Sequence, residues 1–207
     1  MKKNVLGLLI TCFFFQVNNL QAQLINLEKR KLEPVKVSMS IERLMGKEVV
    51  KVIKDSSVKD FDEPTFIKVN DINFKNGTIE VKVMSRLLKN APEFARGFIG
   101  IAFRINDSNT KYESIYIRPL NARVDDQVRR NHSIQYYSYP NYKFDRLRKD
   151  SPEQYESYSD IEMNKWITMR IEVKGAQAKL FLDKNKQPLL IVNDLKLGEN
   201  LSGAVGL

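Results

Sequence analysis

The sequence predicts an all-β chain folded as a two-sheet antiparallel sandwich. Three observations lead there: short runs in which apolar and polar residues alternate, Asn-, Asp- and Gly-rich turn clusters between them, and almost no helical periodicity. Alternation at period two marks a strand with one buried face, because successive side chains leave opposite sides of the pleat.

Residues 1–22 read as a secretory leader. Lys2 and Lys3 precede an apolar run over 5–15 that is short for a bilayer span, and cleavage is expected after Ala22. Cys12 raises lipid attachment as a less favoured alternative. It is the only cysteine, so the mature chain is expected to hold no disulfide and no cysteine-ligated metal. The protein is expected to be exported, periplasmic or extracellular, with no membrane span, and to rest on a packed core.

After a polar lead-in at 23–34, the sandwich is expected over 35–207. A hairpin is predicted at 35–44 and 48–53, turning at Met45, Gly46 and Lys47, with Val35, Val37, Met39 and Ile41 inward. Asn76 and Gly77 open a strand at 78–84, since that pair tolerates positive φ. Strands at 96–105 and 111–121 flank the turn cluster at 106–109 and should pair antiparallel. The long segment 119–162 lacks sustained periodicity and carries most of the tyrosines, which points to a functional loop. A hairpin about Gly175 joins 166–174 to 178–183, and 189–192 and 204–207 form the last strands. The sequence ends inside that last run, so a further strand is expected beyond it. Short helices are possible only near 85–91 and 151–156.

The formal charge is +9, and removing the leader takes away Lys2 and Lys3 to leave +7. The basic residues are dispersed and form no nucleic-acid motif, so nucleic acid is not the expected partner. An oligosaccharide or polysaccharide is. Sugars combine C–H patches with dense hydroxyls, so their sites pair aromatic faces with forked polar groups. Arg104, Tyr112, Tyr116 and Arg118 lie by alternation on the non-aliphatic face of two adjacent strands, where Gly100 and Ala102 leave room for a ligand. Asn121 could reach over the rim. Gln135 joins this face if Ile134 is core, and Tyr139 belongs to a tyrosine-rich stretch suited to stacking. A charge-pairing sheet face and tyrosines stapling a loop are the competing structural readings. Arg146 and Arg148 are expected to clamp a carboxylate such as Glu156 or Asp160. The lone histidine, His132, reads as structural. Glu113 and Glu156 are the candidate acid and base, because glycoside hydrolysis uses two carboxyl groups. No cofactor is implied. The spacing from Asp183 to Gln187 lacks the glycine and terminal acid of an EF-hand, although calcium at a sandwich rim stays open.

The order of a GFIGIAFR strand, a YESIYIRP strand, a WITMRIEVKGAQAKLFLD hairpin and a terminal LSGAVGL resembles the concanavalin A-like lectin/glucanase superfamily. The similarity lies with its laminin-G-like and 3-keto-disaccharide hydrolase-like bacterial branches and covers about 35–207. It implies a jelly-roll sandwich whose concave sheet often binds carbohydrate and sometimes hydrolyses it. The E-x-D-x-x-E triplet of the glucanase members is missing here. Three functions therefore stand: a carbohydrate-binding domain, a glycoside hydrolase of the keto-disaccharide type using the same cleft, and a non-catalytic adhesion or scaffold domain.

Overall fold

The computed structural model describes residues 23–27 and 30–207, so the leader at 1–22 lies outside the described residues. Among those described, no helix is long and apolar enough to cross a membrane. Short strands come first: β1 (Leu32–Val35), β2 (Val37–Leu44), β3 (Lys47–Lys54), β4 (Phe66–Phe74), β5 (Gly77–Val83), β6 (Ile99–Ile105) and β7 (Tyr112–Ile117). Helices α1 (Pro119–Ala122) and α2 (Gln127–Asn131) precede β8 (Ile134–Tyr139), and α3 (Phe144–Asp150) separates β8 from β9 (Glu156–Ser157). β10 (Ile167–Lys174), β11 (Gln177–Leu182), β12 (Leu190–Val192) and β13 (Gly203–Gly206) follow.

They form an antiparallel β-sandwich. A seven-stranded sheet runs β1-β4-β13-β6-β7-β8-β9, and a four-stranded sheet runs β12-β11-β10-β5. Ile167, Met169, Ile171 and Val173 on β10 are buried while Thr168, Arg170 and Glu172 are less so, the alternation that one packed face requires. They meet Ile101, Phe103, Ile115, Ile117 and Ile134 of the larger sheet in one core. Removing such aliphatic chains from water contributes roughly 1.5–3 kcal/mol each.

The first hairpin differs from the expectation. Lys36 has φ 48°, which breaks the run: β1 pairs with β4 in the large sheet, while β2 and β3 leave as a separate hairpin. Met39 and Ile41, expected inward, are 37% and 48% exposed. The segment 119–162 also carries more structure than expected, with three helices and two strands, and the helices do not fall at 85–91 or 151–156.

The outer face of the large sheet, turned away from the smaller one, is closed as well. Every residue of β7 is buried. Tyr112, Ser114 and Tyr116 register there with Tyr139, Tyr137 and Gln135 of β8. Tyr112 stacks on Tyr139 at 5.2 Å and meets Phe66 edge-on at 5.3 Å. A strap at 61–63 and helix α3 cover this aromatic layer. The Asp62 carboxylate accepts from the Phe144 backbone N–H at 2.8 Å, supplying from across the chain the N-terminal cap that Lys143 lacks. Glu63 accepts from Lys143 Nζ at 2.6 Å and from Tyr139 Oη at 3.3 Å. Phe61 packs on Phe144 at 4.9 Å.

Candidate functional site

Of the residues expected on one open face, Arg104 lies elsewhere. Its φ of 56° is a left-handed kink in β6 that throws the side chain to the inter-sheet side. It is 0% exposed, and its guanidinium donates to the carbonyls of Lys75 (2.9 Å), Gly175 (2.8 Å) and Gly198 (2.8 Å). Arg118 stands on the outer face, so the two arginines do not converge. The hollow expected above Gly100 and Ala102 is occupied: Tyr116 covers Gly100, and Tyr112 belongs to the covered aromatic layer. These are corrections to the sequence reading. Alternation fails at a bulge, and the strap arrives from a distant segment.

Glu113 and Glu156 also part. Glu113 registers with Phe103 and Ser138 on the inter-sheet side, where it accepts from Tyr136 Oη at 2.7 Å and the Leu197 N–H at 2.9 Å. Burial pushes its carboxyl above the ordinary range, and these hydrogen bonds oppose that. Glu156 registers with Gln135 on the outer face. The two cannot flank one glycosidic bond.

The remaining candidates do gather. Arg118 donates to the His132 carbonyl (2.9 Å), Tyr116 Oη (2.6 Å) and Gln135 Oε1 (3.2 Å), and lies 3.5 Å from Glu156. Asn121 donates to the same His132 carbonyl at 3.2 Å. Arg148 on α3 grips both oxygens of Glu156 as a fork, with Nε at 3.0 Å. The expected clamp is therefore Arg148 on Glu156; Arg146 pairs with Asp150, and Asp160 with Arg123. Tyr139 remains half-buried over Glu63, apart from this cluster.

Helix α2 builds the open side. Asp126 caps it by accepting from the Arg129 N–H at 3.1 Å, and its last turn delivers Arg130, Asn131 and His132 to the end of β9. There Asn131, His132, Glu153, Glu156, Ser157 and Tyr158 line a cleft of about 160 Å³. Tyr158 is 37% exposed, and Arg130 holds it by donating to its hydroxyl at 2.9 Å with Cζ 5.0 Å from the ring centre. Asn131, Glu153 and Tyr158 were not singled out one by one, although all lie in the tyrosine-rich segment 119–162; they come together only because α2 ends beside a two-residue strand.

His132 Nε2 approaches Glu156 to 3.4 Å, yet the imidazole is neutral near pH 7. Burial pushes its pKa below the ordinary 6.5; Glu156 opposes this, while Arg148 and Arg118 add to it. A neutral folded imidazole contributes stability above its unfolded pKa, and that contribution is lost as pH falls toward the lower folded value. Asp62 and Glu113, whose carboxyls burial raises, act in the opposite sense. His132→Gln is expected to reduce the loss of Tm between about pH 7 and pH 5 relative to the unsubstituted protein. Parallel pH-stability curves for the two would refute it.

The arrangement offers neutral His132, the Asn131 amide, two carboxyl groups and an aromatic ring around one small opening. Hydroxyls can donate to the acids and accept from the amide, while the ring supplies apolar contact. Among the described residues no group of three or more His, Cys, Asp or Glu forms a metal cluster. No family profile and no curated protein matches the chain. Among solved structures it is similar to the carbohydrate-binding module CBM66 from Bacillus subtilis. The match has a TM-score of 0.50 at 12% identity and covers 84% of this chain and 86% of that one. That likeness concerns the fold.

Proposed function

We propose that the chain is an exported carbohydrate-binding domain whose glycan contacts the cleft between α2 and β9. The single observation carrying this is the cleft itself: Tyr158, Asn131, His132, Glu153 and Glu156 present a ring and forked polar groups at the outer face. The sandwich shared with a carbohydrate-binding module agrees with it. In this reading the Arg118–Glu156–Arg148 network is the rigid floor, and the exposed rim touches sugar.

The test is a glycan array followed by calorimetric titration of any oligosaccharide bound. Tyr158→Ala and Asn131→Ala should each weaken binding by roughly tenfold or more, about 1.4 kcal/mol. Unchanged affinity in both would remove the cleft from the account. Glycoside cleavage is the second reading, favoured by Glu153 and Glu156 lining one cleft. Turnover of the bound glycan that disappears in Glu153→Gln would establish it, and binding without turnover would reject it. No binding to any glycan would leave an adhesion or scaffold role.

A further inference from the structure

The ladder between β4 and β13 comes apart at one point. Val69 pairs with Val205 and Phe74 with Gly203, so residues 70–73 of β4 face the single residue Ala204. A disruption of this size leaves ladder groups without strand partners and bends the longer strand away. Gly203 is obligatory beneath it, because a Cβ there would sit 2.1 Å from the Ile105 carbonyl oxygen. The split opens a cleft of about 340 Å³ lined by Lys68, Asn70, Asp71, Asn73, Asp107 and Ala204, among others. Clefts of roughly 300 Å³ and above are of a size that holds small molecules.

Two polar groups in this region are incompletely satisfied. Lys68 is only 4% exposed, and its ammonium donates to the carbonyls of Asn106 (3.3 Å) and Asp107 (3.0 Å). The Glu33 carboxylate acts on it electrostatically, and the two carbonyls leave one of its three N–H donors. Burying an ammonium with one donor unspent is costly unless something accepts from it. Nearby, Glu33 accepts from Asn70 (2.8 Å) and Asn109 (3.4 Å), while the buried Oδ1 of Asn109 has no partner among the described residues.

We propose that this split is a second binding site, taking the hydroxyl edge of a neutral sugar residue. Lys68 and Asn73 supply donors, and Asp71, Asp107 and the freed carbonyls supply acceptors. Arg30 already pairs with Asp71, so the local charges nearly cancel, which favours a neutral ligand over an anion or a divalent cation. The lining has no aromatic ring, so hydroxyls rather than a sugar face would be read.

The experiment is an amide NMR titration of the whole domain with glucose, galactose, mannose, fructose and xylose separately, and with calcium chloride alone. Saturable shifts at Asn70, Asn73 and Asp107 with at least one sugar are expected, retained in Tyr158→Ala. Asp107→Ala and Asn73→Ala, both surface changes that leave the core intact, should each weaken them roughly tenfold. Shifts confined to 131–158 would overturn this site and keep the β9 cleft. Shifts confined to 68–73 and 107 would do the reverse, and no shifts with any sugar would overturn both. The same shifts from calcium alone would also overturn it, assigning the split to a cation.

Discussion

Replacing Arg104 with methionine lowers the free energy of unfolding by about 3 kcal/mol or more and leaves glycan affinity unchanged. Its guanidinium ties together the β4–β5 turn, the β10–β11 hairpin and the loop at Gly198, at the carbonyls of Lys75, Gly175 and Gly198. Methionine keeps most of the length but donates nothing, so three carbonyls lose their donor inside the sandwich. Glu113 also loses the nearby positive charge that supports its ionised form. Urea unfolding gives the stability change, and titration of the folded variant gives the affinity. A variant that is equally stable but no longer binds would restore Arg104 to the ligand face.

Glu156→Ala is the second large effect, again about 3 kcal/mol, and here binding is lost too. The carboxylate is 3% exposed and sits between Arg118 and Arg148, with His132 beside it. Deleting it leaves the buried Arg118 guanidinium without its ion-pair partner and frees Arg148 from α3 to swing. Hydrogen bonds from Arg118 to Tyr116, Gln135 and the His132 carbonyl persist, so the domain is expected to fold while the cleft floor loosens. Glu156→Gln keeps an acceptor and loses the charge, so it should fall between. Equal stability of Glu156→Ala and the unsubstituted domain would show that the arginines are not held by this carboxylate.

Much of the sandwich was legible because its central strands alternate cleanly. β6 with β7 and β10 with β11 emerged as antiparallel pairs, since one buried face writes period two into the sequence. Arg104 escaped because a single left-handed residue shifts the phase, and nothing in GFIGIAFR signals the kink. The strap escaped because Asp62 meets Phe144 across the chain, without a local pattern. Met39 and Ile41 mark the converse limit: alternation reports a two-faced strand but not whether anything covers the apolar side. At the site, Tyr116, Arg118 and Gln135 were expected on one face by alternation and do lie together there, joined by Glu156, which the sequence offered only as an acid, a base or a carboxylate for an arginine to clamp. Their role was harder to read, since a residue on a polar face can serve the fold as readily as a ligand.

A crystal structure of the domain with an oligosaccharide taken from the array would bear most directly on where sugar meets this protein. The account predicts saccharide density against Tyr158, Asn131 and Glu153, with Asp62 still capping α3 and the tyrosine layer still covered. Saccharide lying on Tyr112 and Tyr116, with the strap and α3 displaced, would contradict it.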